Sequence, residues 1–274
     1  MIDASLPVAM FDSGVGGLTV LHECLVALPQ EDYVYLGDTA MFPYGERDLE
    51  QLRRRIGLIA ERLLERGAKL LVIACNTATA IGEDIAREVA AEHGVEVVPV
   101  VAPQAEIAAA ITDNGRIGVL ATTNTVESGA YRRALEAQGR GLDVIEVAAP
   151  RLAPFIQEGS LFDEETMEMA RAYCAPLREA EIDTLILGCT HFPLVAPMLQ
   201  RILGRNVRLV SGGHAVAAAV QRTLERAGLA REGDQEGTYE FFSTGPVSSF
   251  GEVATRFLQM PLGEVRQVEF TVPA

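Results

Sequence analysis

LLVIACNTAT (residues 70–79) and TLILGCTHFP (residues 184–193) decide how this chain is read. Each is an apolar, β-rich run, then one small residue, a cysteine, and a hydroxyl or amide residue that opens a helical pattern. A short apolar run bounded in this way reads as a buried strand. The two cysteines, Cys75 and Cys189, are 114 residues apart, near the length of one domain (about 100–200 residues). A weaker echo links FDSGVGGLTVL (11–21) with LATTNTVESGA (120–130). The self-similarity predicts two similar α/β domains with largely parallel sheets, facing a shared cleft to which each contributes one cysteine.

Outward from these stretches, apolar runs and helical patterns alternate. Val8–Phe11, Tyr33–Leu36, Leu70–Ala74, Val95–Val101, Ile117–Leu120, Val144–Val147, Leu185–Leu187, Val207–Val210 and Tyr239–Phe242 read as strands. Leu18, Leu21, Leu25 and Leu28 fall on one helical face, and residues 51–66 and 77–92 read as helices ended by Gly67 and Gly94. The turns after the strands are small and polar: Asp12-Ser13-Gly14, Gly37-Asp38-Thr39, Cys75-Asn76-Thr77, Thr122-Thr123-Asn124-Thr125 and Cys189-Thr190-His191. Ligands bind outside the carboxyl ends of strands in such sheets, where fresh helix N-termini offer unpaired N–H groups.

Composition narrows the function. Acidic residues outnumber basic ones 38 to 23 in 274 residues, a net charge of −15, which repels nucleic acid and anionic lipid. An anionic substrate must then be held by local donors. The N-terminus MIDASLPVAMFDSG has neither a basic segment nor a long apolar one, and no apolar run is long enough to span a bilayer, so a cytoplasmic protein is expected. Four cysteines without a C-x-x-C pair suit a reduced compartment.

Cys24 and Cys174 fall among apolar residues at helical spacing and read as core. Cys75 and Cys189 each follow a strand and open a helix, a position that can lower a thiol pKa from about 8.5 toward neutrality. Inverting a stereocentre requires a base on one face and an acid on the other, with the roles exchanged in reverse. A thiolate and a thiol meet that demand; hydrolysis through a thioester needs only one. Pyridoxal phosphate requires a lysine, and the single lysine, Lys69, lies six residues before Cys75 at the far end of the same strand, roughly 20 Å from the ligand edge. It reads as a solvated strand-start lysine. Cys189-Thr190-His191 lacks a second ligand pair for zinc. No cofactor and no metal are expected. A turnover of about 10 per second corresponds to a barrier of about 16 kcal/mol, and fixed N–H donors around a carboxylate would supply part of the carbanion stabilisation.

FDSGVGGLTV (11–20), YLGDTAMFPYGER (35–47), LVIACNTATA (71–80) and LILGCTHFPL (185–194) together resemble the glutamate racemase family, within the aspartate/glutamate racemases, with weaker similarity over nearly the whole chain. The resemblance implies cofactor-independent interconversion of L- and D-glutamate for peptidoglycan synthesis. It implies that Cys75 takes the α-proton of D-glutamate and Cys189 that of L-glutamate, assisted by Asp12 and His191, with Glu158 in PFIQEG assisting the second cysteine. Ala149 stands in the approach to Glu158 where the family commonly has a cysteine. Substrate contacts are implied for Asp12, Ser13, Pro43, Tyr44, Gly45, Asn76, Thr77, Thr122, Thr125, Thr190 and His191. The family fold returns to its first domain near the end of the chain, giving residues 1–98 plus 210–274 as the first domain and 99–209 as the second, and a homodimer is expected. SGGHAVA (211–217) departs from the usual Asp-Ser turn, and His214 there reads as structural. The N-terminal extension of members activated by a peptidoglycan precursor is lacking, so that regulation is not expected.

Other readings compete. The substrate could be aspartate or another amino acid, since side-chain selection depends on the Pro43-Tyr44-Gly45 turn. A cysteine hydrolase or amidase would use Cys75 as nucleophile and His191 as base, leaving Cys189 without a role. A non-catalytic binding protein is the third class, and some glutamate racemases are associated with DNA gyrase inhibition.

Overall fold

A computed structural model describes residues 2–233 and 235–270. In chain order the strands are β1 (Val8–Asp12), β2 (Tyr33–Gly37), β3 (Leu70–Ile73), β4 (Glu96–Pro99), β5 (Arg116–Ala121), β6 (Asp143–Ala148), β7 (Thr184–Gly188), β8 (Arg208–Val210), β9 (Tyr239–Ser243) and β10 (Val265–Gln267). The helices are α1 (Leu18–Ala27), α2 (Leu49–Leu64), α3 (Asn76–Glu92), α4 (Val101–Ile111), α5 (Thr123–Ser128), α6 (Ala130–Glu136), α7 (Leu152–Glu158), α8 (Glu164–Glu179), α9 (Ala196–Leu203), α10 (Gly212–Ala227) and α11 (Val247–Leu258). Among the described residues no helix is long and apolar enough to cross a membrane.

Two parallel sheets result. One has six strands in the order β10-β9-β2-β1-β3-β4, the other four in the order β6-β5-β7-β8. Four strands at one end of the first, β2-β1-β3-β4, repeat the whole order of the second, so β1 corresponds to β5 and β3 to β7. The connections leaving β1 and β3 run in opposite directions, as do those leaving β5 and β7. The crevice between such diverging connections is where open α/β sheets bind ligands. In the first sheet it lies between the ends of β1 and β3, at Asp12 and Cys75. In the second it lies between the ends of β5 and β7, at Thr122 and Cys189.

The apolar runs form strands because both faces of the first sheet are covered. Val8 and Met10 point into a core shared with α1, α10 and the second sheet, while Ala9 and Phe11 point into a second core under α2 and α3. Helix starts follow side-chain chemistry: Asp48 accepts the Gln51 N–H at 2.9 Å to cap α2, and Asp163 accepts the Thr166 N–H at 2.8 Å to cap α8. Cys24 and Cys174 are core residues, and His214, in the first turn of α10, hydrogen-bonds Glu23 at 2.6 Å.

Three sequence expectations need correction. The run Val95–Val101 ends as a strand at Pro99, because Val101 already begins α4. Strand β10 goes unrecognised in the sequence, being three residues at a sheet edge with Arg266 and Gln267 exposed. Lys69 is not solvated. Its Nζ lies 2.5 Å from Glu31 Oε2 and donates to the Ala4 carbonyl at 2.7 Å, and both charged side chains are fully buried. The N-terminal segment covers the strand start and makes a paired charge there tolerable.

Candidate active site

Cys75 occupies the N-cap of α3, where Ser, Thr, Asp or Asn is usual. Its Sγ accepts the Ala78 N–H at 3.4 Å. Asp12, at the end of the neighbouring strand, accepts the Gly14 N–H at 2.8 Å and the Thr190 hydroxyl at 3.2 Å. Thr190 follows Cys189, so the carboxylate beside one cysteine is tied to the turn carrying the other. Glycine allows this approach: a Cβ on Gly16 would lie 2.3 Å from Thr190 Oγ1 and 2.5 Å from His191 Nδ1. A Cβ on Gly45 would lie 2.6 Å from Thr122 Cβ, so the 43–47 turn presses on β5's end in the same way.

The two turns enclose a cavity of about 20 Å³ lined by Ser13, Phe42, Pro43, Tyr44, Gly45, Cys75, Asn76, Thr77, Thr122, Ala153, Cys189, Thr190 and His191. That is room for about one water molecule. None of these lining residues is a lysine or arginine; hydroxyls, amides and backbone N–H groups supply the polarity. Asp12 and Thr125, also expected at the site, are fully buried behind this wall. Thr125 forms a hydroxyl triangle with Thr77 (3.1 Å) and Thr122 (2.9 Å), closed by a 2.9 Å Thr77–Thr122 contact across the two sheets. Tyr44 donates to Asp38 at 2.6 Å. Arg55 holds that carboxylate through two hydrogen bonds of 2.9 and 2.5 Å, and the Thr244 hydroxyl donates to it at 2.7 Å.

On the other side, His191 Nδ1 lies 3.9 Å from Cys189 Sγ, and its Nε2 meets Gln157 Oε1 at 3.0 Å. An amide oxygen only accepts, so Nε2 carries the proton and Nδ1 presents its lone pair to the thiol. Phe42 and Phe257 flank the imidazole, with ring centroids 5.2 and 5.0 Å away. Glu158 is not brought to this cluster. It is exposed at the last position of α7. Gln157 is four residues after the cavity-lining Ala153 and shares its helical face, whereas Glu158 is turned about 100° further round the helix. Gln157, Phe42 and Ala153 escape the sequence reading; adjacency to Glu158 and to Pro43-Tyr44-Gly45 marks the first two, and nothing local marks Ala153.

Burial governs the protonation states. It pushes the Cys75 thiol up to about 12, with the Asp12 charge adding and the Ala78 N–H opposing. It raises the Cys189 thiol further, with charge on Cys75 and Asp12 adding. Desolvation outweighs the helix N-terminus, so the expected lowering toward neutrality does not occur. Burial also raises the Asp12 carboxyl, against its hydrogen bonds from Gly14, Gly17 and Thr190, and lowers His191 to about 3, leaving the imidazole neutral.

Two thiols thus lie at equivalent switch points in the wall of one narrow cavity, each beside a group able to exchange protons, and comparison with known proteins supplies the class. Residues 16–220 match the Asp/Glu/Hydantoin racemase family. The chain belongs to that family and is an amino-acid racemase by class. Its relatives are more specific. A glutamate racemase of Saccharopolyspora erythraea is 44% identical over 252 residues, 92% of each chain. A glutamate racemase isoform from Bacillus anthracis superposes with a TM-score of 0.92 at 33% identity, over 98% of this chain and 99% of its own. Glutamate racemase from Francisella tularensis, solved in complex with D-glutamate, gives 0.91 at 28% identity, over 97% and 98%.

Proposed function

We propose that this protein interconverts L-glutamate and D-glutamate by proton transfer between two cysteines, without a cofactor, and so supplies D-glutamate for peptidoglycan synthesis in the cytoplasm, acting as a homodimer. The observation that carries the reading is the presence of Cys75 and Cys189 in the wall of one cavity, on turns from opposite sheets. A thiolate at Cys75 removes the α-proton of D-glutamate: the Cα–H bond breaks, an S–H bond forms, and the electron pair stays on the α-carbon. The Cys189 thiol then delivers its proton to the opposite face, giving L-glutamate and a thiolate at Cys189. The reverse reaction exchanges the roles.

The raised thiol pKa suits this step. A thiolate in a dry cavity is a stronger base than one in water, which narrows the gap to a weakly acidic C–H. Asp12 serves the Cys75 side, and the Nδ1 lone pair of His191 serves Cys189. We assign the support of His191 to Gln157 in place of Glu158. Neutral donors, among them Ser13, Asn76, Thr77, Thr122 and Thr190, hold the carboxylates without a fixed counter-charge. Lys69, locked to Glu31 at the far end of β3, offers no amine for a Schiff base.

Incubating the protein in heavy water with each enantiomer of glutamate tests the reading. Circular dichroism should decay to zero from either side, and mass spectrometry should find one α-deuterium in the enantiomer formed. Retention of optical rotation and of the α-hydrogen by both enantiomers would overturn it. Equal or faster racemisation of aspartate would move the specificity to the other branch.

A further inference from the structure

Between the two cysteine turns lies a buried polar knot, of which the mechanism above uses only Asn76. Gln104 on α4 is fully buried, as is Tyr131 on α6, and Asn76, the residue after Cys75, is 2% exposed. Gln104 Nε2 donates to the carbonyls of Leu187 and Val210, both at 3.2 Å. Carbonyls only accept, so this end of the amide is fixed, and Gln104 Oε1 must face the other way. There it receives the Tyr131 hydroxyl at 2.5 Å and Asn76 Nδ2 at 2.9 Å, while Asn76 Nδ2 also donates to the Tyr131 oxygen at 2.6 Å. Both hydrogens and the oxygen of the Gln104 amide are therefore used.

The connectivity is informative. Leu187 is two residues before Cys189, on β7, and Asn76 is one residue after Cys75, at the start of α3. A single side chain thus connects the strand that delivers one thiol to the turn that delivers the other. Low-dielectric surroundings make such a saturated network stiff, because breaking any one bond leaves a buried group unpaired. Gln104 does not line the cavity.

Resting on the racemase reading, we propose that Gln104, seconded by Tyr131, is a positioning residue that sets the span between the Cys75 and Cys189 turns, and so makes proton removal and proton delivery occur on opposite faces of one carbon. A misplacement of about 1 Å costs on the order of 100-fold in a reaction of this kind. Losing the span hurts inversion more than abstraction, because abstraction needs one sulfur and inversion needs two.

Gln104→Leu keeps the side-chain bulk and deletes the bridge. In heavy water the wild type should place α-deuterium in the product enantiomer and little in the unreacted one. For Gln104→Leu, kcat for inversion should fall about 10- to 100-fold with KM changed much less, and the ratio of exchange with retention to inversion should rise several-fold. Tyr131→Phe removes one hydroxyl, leaves both carbonyl contacts intact, and should move the same ratio in the same direction by a smaller factor. It decides the matter if Gln104→Leu does not fold. Exchange and inversion falling by the same factor, or an unchanged ratio in the folded variants, would overturn the assignment and leave Gln104 purely structural. A wild type that racemises neither enantiomer would instead sink the racemase reading.

Discussion

The two cysteine turns share a topology and differ in their chemistry. The Cys75 side is built around ions: the Asp12 carboxylate beside the thiol, and behind the cavity the buried Asp38–Arg55 pair that anchors Tyr44. The Cys189 side is neutral: an uncharged His191 supported by a glutamine amide and enclosed by Phe42 and Phe257. One thiol caps a helix of 17 residues; the other enters the short turn Phe192–Val195. A racemase acts on substrates of equal energy, yet this protein is itself chiral and need not serve the two faces alike. The shared topology sets where the sulfurs are, and the local side chains set how each handles a proton.

The largest test of that division removes the sulfurs. Cys75→Ala or Cys189→Ala should each lower kcat for glutamate inversion by at least about 1,000-fold, whereas Cys24→Ala should leave kcat unchanged and lower the melting temperature. Each serine variant should sharpen the contrast. With Cys75→Ser, solvent deuterium should enter L-glutamate only, and with Cys189→Ser, D-glutamate only.

Next come the neighbours. Asp12→Asn and His191→Gln should each cost about 100-fold in kcat. Because the equilibrium constant is one, kcat/KM must fall equally in both directions, and the affected side is read from the α-deuterium isotope effect. Asp12→Asn should raise it for D-glutamate and His191→Gln for L-glutamate. The opposite pairing would reverse the assignment of faces.

The ionic side should also be the more fragile in folding. Arg55→Leu leaves a fully buried Asp38 without its cation and should cost about 3–5 kcal/mol by urea denaturation. Gln157→Leu, which removes one neutral hydrogen bond, should cost about 1 kcal/mol. The last contrast is a pH slope. Between His191's folded value of about 3 and the ordinary 6.5 or so, the unfolded chain binds a proton that the folded chain refuses. Stability is therefore complete above about pH 6.5 and falls as the pH drops, by at most about 1.4 kcal/mol per pH unit. Urea midpoints from pH 4 to 7 should show a flatter acid limb in His191→Gln.

Much of this arrangement can be read from the chain. Period and run length reveal strand runs such as Val8–Phe11 and Leu185–Leu187, because burial on both faces selects apolar residues there. The small polar turns reveal the ligand edge for the same reason: a helix start facing a cleft must offer donors. What stays hidden depends on long-range contacts. Nothing local separates Gln157 from Glu158; the choice depends on which face of α7 meets His191. Lys69 reads as solvated because the segment that buries it, near Ala4, lies 65 residues away. The raised thiols are invisible for a related reason, since a helix N-terminus is a local feature and desolvation is a property of the whole enclosure.

The absence of arginine and lysine from the cavity wall has a consequence for encounter. An amino acid with two carboxylates and one ammonium, net charge −1, would meet a macro-ion of charge −15 whose cavity wall carries no cation, so Coulomb drag opposes capture until contact is made. Added inert electrolyte shortens the reach of that drag to about 8 Å at physiological ionic strength, and capture should quicken modestly as salt is raised, the reverse of an enzyme that recruits its anion through a basic mouth.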